Sequence, residues 1–232
     1  ITNTIGMSFN QIPAGTFMMG SPESEEDRED DEHQHQVTIS KAFYMQTTEV
    51  TQGQWKAVMG TEPWKGKEYS KYVKEGANYP AEYVSWNDAV AYCKKLSEKE
   101  GNTYRLPTEA QWEYACRAGT TTTWSFGDDE KALGDYAWTR ENAWDDEEYA
   151  PQVGLYDMHG NVAEWVLDQY KLEFYQSSEG KVLSNPLAVP VKLYPRVVRG
   201  GSWDDDPEGC RSASRHASEA DWKVQDPQLP KS

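Results

Sequence analysis

Ten Trp and fourteen Tyr are carried by a chain of 232 residues in which only 37% are apolar. Acidic chains that stay disordered are poor in aromatic residues. This ring content therefore requires a folded domain, and the low apolar fraction gives it a polar surface rich in loops. The length suits a single domain spanning 1–232, large enough to hide roughly 70% or more of its unfolded surface.

Charge narrows the partners. Asp and Glu number 39 against 23 Lys and Arg, for a net charge of −16. Binding to phosphate backbones depends on clustered cations that replace counterions, so neither nucleic acid nor an anionic membrane is expected as a general partner. No run of about 18 apolar residues exists, so no membrane span is expected. Three Cys allow one disulfide and one thiol, or three thiols, and leave the compartment open. The acidic run Glu23–Glu32 reads as a solvated loop between two strand-like stretches, 11–19 and 36–45. His33 and His35 end that run, and nothing in the sequence would hold them rigidly enough to ligate a metal.

Two main helices stand out, at about 85–100 and 108–117. Ser85 caps the first, with Asp88 three residues on, and Trp86, Val90, Cys93 and Leu96 follow at helical spacing. Gly101 stops it. Thr108 and Gln111 form a capping box for the second, which continues through Trp112, Ala115 and Cys116 to a stop at Gly119. A shorter helix is expected over 51–59. Beyond Gly119, Gly, Pro, Asp and Asn recur every few residues, and short strands are expected at 195–199 and 211–215. The class is α+β with a high irregular content.

Six ordered motifs carry more. They are Ile12-Pro13-Ala14-Gly15-Thr16-Phe17-Met18-Met19-Gly20; Thr48-Glu49-Val50-Thr51-Gln52-Gly53-Gln54-Trp55; Pro80 to Trp86; Tyr104-Arg105-Leu106-Pro107-Thr108-Glu109-Ala110-Gln111-Trp112; Gly154-Leu155-Tyr156-Asp157-Met158-His159-Gly160-Asn161-Val162-Ala163-Glu164-Trp165; and Arg199-Gly200-Gly201-Ser202-Trp203. In this order they resemble the formylglycine-generating-enzyme, or sulfatase-modifying-factor, family over nearly the whole chain. The resemblance implies a C-type-lectin-like fold with loop-rich elaborations. It covers copper oxidases that convert a Cys in a C-x-P-x-R segment of a sulfatase to formylglycine. It also covers iron-dependent sulfoxide synthases, lipoprotein modules and hypervariable receptors, so fold does not fix function.

Cu(I) prefers thiolates, and the oxidase pattern resembles G-G-S-x-x-C-x4-C before R-x-A-x-R. Here Gly200-Gly201-Ser202 matches and the first Cys position holds Asp205. Counted from Ser202, the second holds Cys210. Counted back from Arg211-Ser212-Ala213-Ser214-Arg215, Cys210 falls at a non-ligand position. On either count the pair is absent. Ser202 matches a family active-site Ser, and it also suits a turn that bonds its own backbone. The sulfoxide synthases hold iron mainly through a separate helical domain, and His33, His35, His159 and His216 show no helical i, i+4 pairing. The resemblance places Cys116 opposite Ser212, two residues from Cys210, which makes Cys116–Cys210 a disulfide candidate; the alternative is three buried thiols. It also implies calcium at Asn161 and Glu164, with Asn142, Asp145 and Asp146 as a second group. Relatives end on a further strand, expected to lie beyond Ser232.

Two readings follow. The first is a non-oxidising recognition module, stabilised by calcium. Its loop Trp203, Asp204, Asp205, Asp206 and Glu208 binds a protein or peptide ligand of basic character, with Trp144 and Trp222 as further aromatic lining. The second is a copper oxidase using Ser202 and Cys210.

Overall fold

A computed structural model describes residues 1–66, 73–143, 155–176 and 181–219. Four short strands come first: β1 (Phe9–Ile12), β2 (Gly15–Met19), β3 (His35–Ile39) and β4 (Phe43–Gln46). Helices α1 (Gln52–Met59), α2 (Trp86–Glu100) and α3 (Glu109–Arg117) follow, then β5 (Glu164–Gln169), β6 (Val182–Ser184), β7 (Arg196–Arg199) and β8 (His216–Ala217). Strands β1 and β4 pair antiparallel, with Phe9 opposite Gln46. Strand β3 lies between antiparallel β2 and parallel β6, and β7 lies between β5 and β8. The two long strand-like stretches of the sequence are each broken: Pro13-Ala14 separate β1 from β2, and residues 40–42 separate β3 from β4, so each half joins a different sheet.

All three helices start on the capping boxes written in the sequence. Thr51, Ser85 and Thr108 each accept from the backbone N–H three residues on, while Gln54, Asp88 and Gln111 reach back. Each box satisfies two donors that a helix start leaves open. Gly101 closes α2 in the left-handed region, whereas α3 ends one residue before the expected glycine, on Ala118.

Helix α1 packs on α2 through stacked Trp55 and Tyr92, 5.2 Å apart. Helix α3 is the hub. Ala110 packs among Met19, Val37, Ile39 and Tyr175 on the β2–β3–β6 side. Trp112 and Cys116 pack against Met158, Val166 and Val197 on the β5–β7–β8 side.

A third row of α3, Glu109, Glu113 and Arg117, shares one helical face and is buried. Glu113 accepts from the Gly20 backbone at 2.8 Å, from Arg117 at 2.9 Å and from Arg199 at 2.6 Å. Glu109 takes Arg215 on both oxygens, at 2.7 and 3.0 Å. Arg199 is fully buried and also donates to the carbonyls of Ser212, Ala213 and Ser214. That corrects the expected strand at 211–215: its carbonyls serve a guanidinium instead of a ladder, and β8 begins only at His216. It also corrects the picture of a wholly solvated acidic run. Asp31 and Glu32 are buried, and Arg211 binds Glu25 at 2.8 Å and Glu32 at 2.6 Å while Arg215 reaches Asp31. His35 is buried too, its Nδ1 bonded to the His33 carbonyl.

Candidate functional site

Two glycine turns bring the motif loops together. Gly160 donates to the Gly200 carbonyl at 2.7 Å, Trp203 donates to the Asn161 carbonyl at 2.8 Å, and Asn161 donates to the Trp138 carbonyl at 2.8 Å. Gly160 has φ 74°, and a Cβ there would overlap the Trp138 carbonyl oxygen. Gly160→Ala is therefore expected to cost at least about 1–3 kcal/mol from crowding alone, read as a lower denaturation midpoint; an unchanged midpoint would show that the two loops are not held at this spacing.

The residues at the copper positions are engaged in the loop's own fold. Asp205 accepts from both Ser202 N at 2.8 Å and Ser202 Oγ at 2.7 Å. Ser202 Oγ in turn accepts from Asp204 N. Arg140 straddles the acidic loop, donating to the Asp206 carboxylate at 3.1 Å and to the Asp204 carbonyl at 2.5 Å. Glu208 stays exposed. Cys210 ends a 3-10 turn, Pro207–Cys210, and is fully buried. A Cβ on Gly201 would meet its sulfur at 2.7 Å. Burial, with Asp205 and Glu208 nearby, pushes its thiol up to about 12. One buried thiol beside a carboxylate already bonded to Ser202 does not supply the pair of thiolates that Cu(I) prefers.

The disulfide candidate is corrected as well: Cys93, Cys116 and Cys210 are all free. The pairing rested on positions 210 and 212 sharing the face of a strand, but Cys210 lies in a turn. Cys116 instead faces Ser212 Oγ at 3.9 Å and His159 Nε2 at 3.7 Å.

His159 was not singled out by sequence, because its partners lie far along the chain. Its Nδ1 meets the Cys210 carbonyl at 2.8 Å and so carries the proton. Its Nε2 then accepts from Ser125 N at 3.1 Å and Ser125 Oγ at 2.9 Å. Burial lowers its pKa to about 4. A neutral, weakly basic imidazole suits tying three loops together better than taking protons from a substrate.

Asn161, with φ 63°, donates its amide to Glu49 at 2.7 Å. Glu164 accepts from Trp112 Nε1. Burial, then Asp157, raises Glu164 to about 7. Burial, then Asp157 and Glu164, raises Glu49 well above the usual range, and burial raises Asp157, which shares a hydrogen bond with Glu49. Carboxylates, an amide and loop carbonyls are donors that a hard cation such as calcium takes. Among the described residues, no group of three or more His, Cys, Asp or Glu is gathered closely enough to hold a metal by itself, so amide and carbonyl oxygens would have to complete the shell. Asn142 holds its own turn, through Thr139 N and the Ala137 carbonyl. Trp144, Asp145, Asp146 and Trp222 lie outside the described residues. Glu49, Glu82, Asp157, Asn161 and Trp203 line one open cleft of 1610 Å³.

Helix α3 between two small sheets, with paired glycine-turn loops at one end, defines a formylglycine-generating-enzyme-like fold. The chain belongs to the sulfatase-modifying factor enzyme 1-like domain family, whose model matches residues 6–226. It is 31% identical to the chaperone protein LppX of Paenibacillus barcinonensis, over 72% of this chain and 71% of that one. It is 33% identical to the formylglycine-generating enzyme of Mycobacterium tuberculosis, over 64% of this chain and 55% of that one. The structure of PvdO from Pseudomonas aeruginosa superposes with a TM-score of 0.79 and 29% identity, over 93% of this chain and 89% of that one.

Proposed function

We propose that this domain is a non-oxidising recognition module. The Trp203–Glu208 loop and the adjoining cleft bind a protein or peptide ligand, and Asn161, Glu164 and Glu49 take up a calcium ion that fixes the loop base. The observation that carries this reading is the Ser202–Asp205 clasp. It commits to a turn both Ser202 and the carboxylate that stands at the first copper-cysteine position. The family holds proteins named as a chaperone and as an enzyme, so membership is compatible with either role. Arg140 already offsets Asp204 and Asp206, which leaves exposed Glu208 to attract a basic ligand, with Trp203 as the aromatic contact.

The test incubates the protein with Cu(I), oxygen and a C-x-P-x-R peptide, beside a relative that has both cysteines, and follows the peptide by mass spectrometry. No aldehyde is expected from this chain. Formation of the aldehyde would overturn the reading and restore Ser202 and Cys210 as catalytic groups. In parallel, Trp203→Ala is expected to weaken binding of basic peptides on an array by at least roughly tenfold, as an aromatic contact residue does.

A further inference from the structure

Phe126 stacks with two other rings. Trp124 lies 5.8 Å from it at an interplanar angle of 5°, and Tyr136 lies 4.2 Å from it at 8°. Among the described residues, Trp124 and Tyr136 make no ring contact with each other, so Phe126 is the middle ring. One end of the stack is buried and the other is open: Trp124 is 4% exposed and Tyr136 is 42% exposed. Phe126 and Tyr136 line the cleft that Trp203 also lines. Stacked rings inside a core need no ligand to explain them. A large ring left open at the end of a stack, in a cleft, offers a surface for the next flat group.

Local bonds fix the stack. Trp124 and Gly127 exchange backbone hydrogen bonds at 3.0 and 3.2 Å. Asp128 accepts from Thr123 N at 2.8 Å and from Thr123 Oγ at 3.0 Å. Together these hold the turn that carries Phe126. Tyr136 donates its backbone N–H to the Leu133 carbonyl at 2.9 Å, just past the 3-10 helix Glu130–Asp135. Trp124, Leu133 and Ala137 form a small core under the stack, with Phe126 packed against it. A group that settles on Tyr136 therefore meets a ring already in place, and little ordering cost falls on the protein.

Charge and shape select the occupant. The exposed acids Asp128, Asp129, Glu130 and Asp135 lead into Tyr136 against one cation, Lys131. Arg140, the next cation along, is paired with Asp204 and Asp206. Ring faces are electron-rich and attract cations. A guanidinium is flat and stacks on a ring, whereas an ammonium is a compact, strongly hydrated point charge. We propose that the open face of Tyr136 takes the guanidinium of an arginine in the bound protein or peptide, so that the cleft selects arginine over lysine. This inference rests on the recognition reading above.

The experiment titrates the full chain, by nuclear magnetic resonance, with heptapeptides of glycine and serine that carry arginine, lysine, citrulline or phenylalanine at the centre. The arginine peptide is expected to bind at least roughly threefold tighter than the lysine peptide, and tighter than citrulline, which is flat but neutral. Tyr136→Ala should erase the preference for arginine over lysine, and Tyr136→Phe should keep it. A variant that merely loosened the cleft would weaken both peptides and leave their ratio unchanged. Tyr136 is the exposed end of the stack, so circular dichroism should show both variants folded. Four results would overturn the inference: no binding of any peptide; arginine bound no better than lysine or citrulline; a preference that survives Tyr136→Ala; or phenylalanine bound more tightly than arginine, which would make the occupant an aromatic side chain. The copper assay does not involve Tyr136, so aldehyde formation there would count against the recognition reading and is told apart from all four.

Discussion

Glu113→Ala is expected to destabilise this domain by about 3–5 kcal/mol, the cost of leaving a buried charge without its partner. For a domain of this size that corresponds to a fall of roughly 6–20 °C in Tm. Glu113 is 1% exposed and joins Gly20, Arg117 and Arg199 at one point. Its removal strands two guanidinium groups where water cannot reach them. Glu113→Gln keeps an acceptor and should fall between the two. Glu62 also touches two cations, Lys56 and Lys65, but in solvent, and Glu62→Ala should leave the midpoint nearly where it was. Thermal and chemical denaturation of the three variants decide the matter. Equal behaviour of Glu113→Ala and Glu62→Ala would refute a central role for the ion cluster.

Acidification from pH 8 to about 5.5 should stabilise the protein, against the common trend. Burial raises Glu82, Glu164 and Asp168 to about 7, and Glu49 and Asp157 also stand above their ordinary values. A carboxyl with a raised folded pKa binds a proton more tightly folded than unfolded. Stability then declines as pH climbs from the unfolded value near 4 to the folded value near 7, and the full penalty remains above that. Each of Glu82, Glu164 and Asp168 contributes on the order of 3 kcal/mol. Glu32 and Glu109 act the other way, being lowered by Arg211 and Arg215 against their burial. The two carboxylates' contribution is lost as pH falls below about 4.5, and buried neutral His159, lowered to about 4, costs a smaller amount from about pH 6.5 downward. The maximum should therefore lie between about 5 and 6.

Calcium at Glu49 and Glu164 would take the proton's place, so it should raise the midpoint at pH 8 more than at pH 5.5. Glu164→Gln keeps an acceptor for Trp112; it should stabilise the metal-free protein at pH 8 and lose the calcium response. A calcium effect equal at both pH values, or unaltered in Glu164→Gln, would remove these residues from the ion's shell.

Much of the scaffold was legible because helix starts are local. Ser85 with Asp88 and Thr108 with Gln111 announce themselves within four residues, and the caps form as written. The ordered motifs likewise announced the family. What the sequence concealed depends on partners far along the chain. Nothing near Glu32 signals Arg211, 179 residues away, so an acidic run reads as solvated when part of it is buried. The spacing of Arg211 to Arg215 suggests a strand, yet Arg199 claims its carbonyls. His159 joins Ser125 to Cys210 with no pattern to betray it. Ser202 was legible both as a family active-site residue and as a turn-maker, and only the position of Asp205 shows the second role.

The loop from 203 to 209 takes its shape from the Ser202–Asp205 clasp and from main-chain bonds to Asn161 and Arg140. The side chains of Asp204, Asp206 and Glu208 contribute little beyond exposed pairing. A display library randomised at those three positions, with Ser202 and Asp205 kept, would thus diversify a surface whose backbone stays put, and so turn an acidic binding loop into an interchangeable cartridge.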